Sequence, residues 1–248
     1  MSTRPFTVDL PVPARVLAIG AHPDDIEFGC GATLAKWSAA GTEVHLLVLT
    51  DGSKGTWDPD ADPAALATAR VAEQADAATR LGAAAVHYTD YVDGELEDGP
   101  DERRTVCAVI RRTRPDVVLT HDPWKRYRLH PDHRNAGFLV LHAVVAARDP
   151  HFFPDQGLDP HRPELLLLFE AEDVDHYERV EGTGAEKVEA LLAHRSQWRS
   201  TMGIEEHGPD EAAQRAAFME RLARDMKAFG IEAGLGTPAE GFKRIDEV

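Results

Sequence analysis

The sequence predicts an α/β fold in which helices cover both faces of a mostly parallel sheet. Short apolar runs at 16–19, 44–49, 86–88, 117–119 and 165–169 are rich in β-branched residues or leucine and bounded by turn or polar residues, the pattern of buried strands. Between and beyond them lie stretches of helical character at 31–40, 63–81, 101–113, 131–148, 184–198 and 209–229. Strands that alternate with helices are joined by crossovers, which put the helices on the two faces of a parallel sheet. A chain of 248 residues fits one large domain, and a single domain spanning 1–248 is expected.

Local chemistry sets the limits of the elements. The first strand leads directly into Ala21-His22-Pro23-Asp24-Asp25-Ile26-Glu27, and Gly29-Cys30-Gly31 opens the helix that follows. Gly41 and Gly82 each stand after an alanine-rich helical segment, where a left-handed closing residue belongs. Pro115 stops the helix ending near Thr113, just before the strand at 117–119. Pro131 occupies a favoured first helical position. Residues 149–163, proline-rich with interspersed His, Asp and Phe, read as an irregular connection, because strand-like sequence resumes at once.

Composition narrows the function classes. Apolar residues make up 43% and charged residues 28%, ordinary for a globular protein, and no apolar run approaches the ~20 residues of a membrane span. The start of the chain carries no secretory pattern, so a cytoplasmic location is expected. Two cysteines, Cys30 and Cys107, read as buried thiols and not as a disulfide framework. A formal net charge of -16 argues against nucleic acid as a partner, since phosphate-tracking surfaces need an excess of Lys and Arg.

The chemistry concentrates at strand ends. Ligands of open α/β sheets collect beyond the carboxyl ends of the strands, where His22, Asp24 and Asp25 fall. Pro23 constrains the loop, and two adjacent aspartates do not easily point the same way, so one can bind a cation while the other approaches its water. Alone, this motif is also a plain helix start capped by aspartate. A second cluster, His130-Pro131-Asp132-His133, begins the helix after the fourth strand and sets both of its rings on one side of that helix start. Two such clusters in one parallel sheet are expected to converge. His22, Asp25 and His133 then form the nitrogen-nitrogen-oxygen set of catalytic zinc with one position open, and Fe2+ or another divalent metal is a further candidate.

These motifs resemble the bacterial LmbE-like proteins, relatives of the eukaryotic PIG-L enzyme, a family of metal-dependent N-deacetylases acting mainly on N-acetylglucosamine-containing compounds. The resemblance rests on the two clusters, on Gly29-Cys30-Gly31 and on Leu49-Thr50-Asp51-Gly52 after the second strand. Weaker echoes at Arg70-Val71-Ala72-Glu73, Asp93-Gly94, Arg114-Pro115-Asp116 and His194-Arg195-Ser196-Gln197 extend it over nearly the whole chain. It implies zinc on His22, Asp25 and His133, Asp24 as general base, and a cationic His130 assisting the oxyanion or protonating the leaving amine. By the same resemblance Arg70, Asp93 and His194 are candidate substrate contacts. Each also has an ordinary reading: a surface ion pair for Arg70, a packed or exposed ring for His194. His121 and Asp122 end the fourth strand and are candidate partners for a metal ligand.

The sequence departs from the family where some deacetylases carry a tyrosine two residues before the first histidine of the second cluster. Here that position is Arg128 and the tyrosine is Tyr127. Arg128 thus becomes a candidate contact for an anionic substrate. Pocket walls are expected from 53–63, 91–100, 123–129 and 151–163, with Trp57, Trp124 and Tyr127 available to stack on a sugar. A dinucleotide site fits poorly, because Leu34 stands where the third glycine is required.

These readings combine into a single-domain, Rossmann-like, three-layer α/β protein. Its expected activity is zinc-dependent hydrolysis of the N-acetyl group of an N-acetylglucosamine-type conjugate, a small acetamido-sugar-type substrate. Alternatives are hydrolysis of another amide or ester at the same site, as in a thiol-conjugate amidase, or metal binding without catalysis. The family implies that assemblies are common, and 209–229 offers an amphipathic face for a homo-oligomer contact or for packing within the chain.

Overall fold

The computed structural model describes residues 5–246 and 248. Among the described residues eight strands form one sheet: β1 (Thr7–Val8), β2 (Arg15–Gly20), β3 (Glu43–Thr50), β4 (Ala85–Tyr91), β5 (Val117–His121), β6 (Leu165–Phe169), β7 (His176–Arg179) and β8 (Ala239–Ile245), in the order β1-β7-β8-β6-β5-β2-β3-β4. All neighbouring pairs are parallel except β6–β8 and β7–β8. Six α-helices accompany them: α1 (Asp25–Ala39), α2 (Pro63–Arg80), α3 (Pro100–Thr113), α4 (Pro131–Arg148), α5 (Gly184–Ala193) and α6 (Glu211–Glu232).

The alternation of side chains along β2 builds the three layers. Val16 and Ala18 pack with Trp37, Ala77, Leu81 and Ala190 beneath α1, α2 and α5. Leu17 and Ile19 pack on the other face with Val106, Ile110, Leu139 and Val140 from α3 and α4. The result is the single three-layer α/β domain that the sequence predicts. β2 and β5 lie side by side, with Ala18 opposite Leu119, yet α1 and α4 leave them on opposite faces. The crevice this creates at their carboxyl ends is where such sheets bind ligands.

The structure adjusts several predicted limits. Helix α1 begins at Asp25, not at 31, and breaks at Cys30, whose φ of -150° and ψ of 17° are non-helical. Gly41 and Gly82 do take positive φ after α1 and α2. Helix α5 ends at Ala193, short of the predicted 198, and passes through a 3-10 turn, Arg195–Gln197, into a π-helical turn, Trp198–Met202. Strands β1, β7 and β8, which together extend one side of the sheet, escape prediction: β8 reads Ala-Glu-Gly-Phe-Lys-Arg-Ile and has no continuous apolar run. Helix α6 buries Phe218, Leu222 and Met226, and its apolar face packs with α5 residues of the same chain. Cys30 and Cys107 are buried free thiols, and no helix among the described residues is long and apolar enough to cross a membrane.

Candidate metal centre and catalytic cavity

Three elements bring the two sequence clusters together. His22 lies in the loop after β2, Asp25 opens α1, and His133 sits in the first turn of α4, whose N-cap is His130 and whose first turn contains Pro131. His22 Nδ1 is 3.2 Å from Asp25 Oδ2 and 3.2 Å from His133 Nε2, and His133 Nε2 is 3.3 Å from Asp25 Oδ1. Tetrahedral coordination at zinc-ligand lengths of about 2.0–2.1 Å sets donor atoms about 3.3 Å apart. His22 Nδ1 and His133 Nε2 stand at that spacing from each other, and each stands at that spacing from a different oxygen of the Asp25 carboxylate, so the three side chains suit a small divalent cation. Among the described residues, His130, His121, Asp93 and Asp132 add further donors that complete triads with these side chains.

The charge state of each donor is set by its neighbours: against burial, hydrogen bonds to Asp132, Asp25 and Asp93 raise the His22 pKa well above the usual imidazole value. Burial lowers the His133 pKa to about 3 against the pull of Asp25, with His121 and Arg128 lowering it further, so the ring is neutral, and its Nδ1 faces the Arg128 donor. Asp25 is ionised: burial opposes its charge, but the facing His133 and His121 rings and hydrogen bonds from His121 and His22 hold its carboxyl well below the usual range. The backbone N–H of His22 also donates to Asp25 Oδ2 at 2.7 Å. On the far side of His22, Nε2 meets Asp93 Oδ1 and Asp132 Oδ2, each at 3.2 Å. A proton on Nε2 is thereby favoured and Nδ1 turns to the donor triad.

Asp24 points elsewhere, as the adjacent-aspartate argument requires. It is the N-cap of α1 at φ 99°, a left-handed conformation forced on a non-glycine residue. Its backbone N–H donates to Gln74 Oε1 at 3.1 Å, and its carboxylate lies 3.5 Å from Arg70 Nη2. Burial pushes its pKa up to about 6, the Arg70 charge opposing and the Asp25 charge adding to the rise. Asp24 lines the same cavity of about 510 Å³ as His22, Asp25, His130 and His133. His130 stands beside His22, ring centroids 4.6 Å apart. Burial and then the neighbouring His22 lower its pKa, so its resting ring is neutral, not the cation expected from sequence.

The remaining candidates divide. Arg70, Asp93 and Arg128 line the cavity. Arg70 is nevertheless buried and committed to the Gly52 and Pro23 carbonyls and to Asp24, so it is an internal brace and not a surface ion pair. Arg128 pairs with Glu170 at 2.6 Å and contacts His133 Nδ1, and Glu170 offsets the charge that had suggested an anionic substrate. His194 does not line the cavity; it is fully buried, with Nε2 3.7 Å from Glu27 Oε2. Burial disfavours its charge, but Glu27 and then Asp24 outweigh this and raise its pKa. His121 is in the expected supporting place, with Nε2 3.2 Å from Asp25 Oδ2 and Nδ1 3.3 Å from Glu170 Oε2. Asp122 instead accepts from the Trp124 and Glu172 amides.

The cavity walls also differ from expectation. Lys54 and Gly55, Asp93 and Gly94, and Arg128 come from three of the predicted loops, but 151–163 contributes nothing; Phe28, Glu170, Gln197 and Thr201 take its place. Trp57, Trp124 and Tyr127 are exposed and do not line the cavity. Glu170 was legible by the rule that placed His22, since it directly follows a strand's carboxyl end. Thr201 was not, because the π-helical turn that carries it has no sequence signature, and Gln197, in the 3-10 turn just before, entered the sequence reading only as the end of the weak His194-Arg195-Ser196-Gln197 echo.

Comparison with known proteins points one way. The family profile described as PIG-L, GlcNAc-PI de-N-acetylase, matches residues 17–144. The diacetylchitobiose deacetylase of Thermococcus kodakarensis is 37% identical over 187 residues, covering 74% of this chain and 70% of that protein. The 1D-myo-inositol 2-acetamido-2-deoxy-α-D-glucopyranoside deacetylase of Streptomyces avermitilis is 34% identical over 175 residues, 60% of this chain and 58% of that protein. Among solved structures, the N,N'-diacetylchitobiose deacetylase of Pyrococcus horikoshii in complex with an inhibitor superposes with a TM-score of 0.83 at 29% identity, covering 94% of this chain and 84% of that one.

Proposed function

Because the chain belongs to the PIG-L, GlcNAc-PI de-N-acetylase family, we propose that it is a zinc-dependent hydrolase removing the N-acetyl group from an N-acetylglucosamine-type conjugate. The observation that carries this reading is the division of labour between adjacent aspartates: Asp25 turns to His22 and His133, while Asp24 is left facing the same cavity. A purely structural metal site has no use for a free carboxylate there. The two-imidazole, one-carboxylate set suits zinc, with ferrous iron or another divalent ion as the runner-up. When bound, such a cation supplies Lewis acidity to the acetyl carbonyl and acidifies water.

The chain's own groups do the rest. Asp24, braced by Arg70 and Gln74, accepts the proton that water gives up as it attacks the carbonyl carbon. The C–N bond then breaks, the proton passes to the amine nitrogen, and acetate and a free amine result. His130, on the cavity wall beside His22, is positioned to donate its N–H to the developing oxyanion or to the departing nitrogen. Hydrogen-bonding groups on Lys54, Asp93, Gln197 and Thr201 line a space of the size that holds small molecules.

Elemental analysis of the purified protein, with acetate release measured over a panel of acetylated amino sugars, tests this directly. Asp24→Asn is expected to retain metal and lose about 10²–10⁴-fold in kcat. Cleavage confined to other amides or esters would keep the hydrolase and reject the sugar; a metal-loaded protein inert toward all of them would favour the non-catalytic alternative.

A further inference from the structure

Helix α1 breaks immediately after the turn that carries Asp25, and an ion pair from the far end of the chain is built into the break. Around the non-helical Cys30, the Phe28 carbonyl accepts from Lys187 Nζ at 2.7 Å. The Ala32 and Thr33 amides donate to Glu240 Oε1 and Oε2 at 3.3 and 2.8 Å. Phe28 C=O and Ala32 N–H are the two groups that a regular helical turn would pair with each other. Here each has a side-chain partner, and Lys187 Nζ and Glu240 Oε1 join at 2.6 Å to close the circuit. Both side chains are buried, one from α5 and one from β8.

On its other side the turn before the break is closely packed. An added Cβ at Gly29 would lie 2.4 Å from the Phe169 ring, so the first turn of α1 rests its backbone directly on the end of β6. A bend in a buried helix exposes backbone groups that need partners, and leaving them bare destabilises the bend.

We propose that Lys187 and Glu240 form a positioning clamp that sets the angle of the Asp24–Asp25 turn relative to His22 and His133. This rests on the assignment of those residues to the catalytic centre. The clamp lies outside the matched family segment 17–144 and touches neither the donor triad nor Asp24. It acts only through the backbone of Phe28, Ala32 and Thr33.

The test compares wild type with Lys187→Met/Glu240→Gln, which removes both charges together and keeps an acceptor for the Thr33 amide. Removing both members of a buried pair is often near neutral for stability, whereas removing one strands a charge. Co2+ titration by visible absorption reports the metal site without turnover, alongside kcat, KM and Tm. The expected result is a near-native Tm with Co2+ affinity and kcat each reduced about tenfold or more, KM changed less than about threefold, and both losses reversed when position 187 carries Arg over native Glu240. Co2+ affinity within about threefold of wild type in the double variant would overturn the proposal. Should the double variant not fold, Glu240→Asp, which keeps the charge for Lys187 but shortens its reach to the Ala32 and Thr33 amides, is read on the same scale. A wild type that binds Co2+ but cleaves no acetamido sugar removes the sugar-deacetylase reading and leaves the cobalt comparison to decide the clamp; a wild type that binds no Co2+ overturns both.

Discussion

Asp24 combines two costs in one residue: a left-handed backbone, worth on the order of 1–3 kcal/mol of strain, and a buried carboxyl whose pKa is pushed up to about 6. Such residues persist where their surroundings over-determine them, and Arg70, Gln74 and the α1 break do so here. Gly29 shows how little slack the arrangement has. Its missing side chain leaves room for Phe169, which in turn packs edge-on against His121 with centroids 4.6 Å apart. Gly29→Ala must displace that ring or the turn, and a loss of about 1–3 kcal/mol is expected in urea unfolding at neutral pH. An unchanged midpoint would mean that the turn yields freely. From the sequence Gly29 was readable as a helix-opening glycine, but its reason was not, because Phe169 is remote in the chain.

Among the elements, α4 is held at both ends by different means. Its first turn is tied to the cavity, where His133 meets Asp25 and Asp132 accepts the Gly94 amide at 2.6 Å. Its last turn is closed by Arg111 of α3, a buried guanidinium that reaches the carbonyls of Ala146, Ala147, Asp149 and Phe152 at 2.8–3.1 Å and Gln156 Oε1 at 3.2 Å. These include carbonyls that a helix end leaves without intrahelical donors. Arg111→Met should therefore cost roughly 2–4 kcal/mol in denaturant unfolding, and Arg111→Lys should recover only part, since one ammonium cannot span the same set. Equal midpoints for native and Met proteins would remove this cap from the account. Helix α3 was predicted within a residue; the function of an arginine on it was not, because α3 and the 146–156 stretch meet there only after folding.

For the whole molecule, the sheet is extended at one edge by β1, β7 and the antiparallel β8, and the tie to the core is ionic as well as backbone. Asp9 follows β1 and accepts from Lys36 Nζ of α1 at 3.1 Å and from the Arg179 amide of β7 at 2.9 Å. Burial raises the Asp9 pKa, but the Arg179 amide and the Lys36 and Arg179 charges prevail and lower it below 3.8. A carboxyl with a depressed folded pKa stabilises the fold fully above its unfolded value and loses that contribution as the pH falls through the folded value. Asp9→Asn should thus lower stability by roughly 1 kcal/mol at pH 7, a modest figure because the site is partly open to water. The gap between variant and native midpoints should narrow as the pH is taken below 3.8; a gap that widens there would contradict the assignment.

Local signals in the sequence specify the five contiguous parallel strands β2 to β6, their covering helices and the candidate donors His22, Asp25 and His133: apolar runs, helix starts and short histidine-carboxylate clusters at strand ends. Tertiary structure alone decided that Glu170 braces His121 and Arg128, that His194 is buried behind Glu27 and away from the cavity, and that Lys187 and Glu240 meet inside a broken helix. Each of these depends on residues distant in the chain becoming neighbours in a dry interior, where a charge must find its partner wherever the fold has put it.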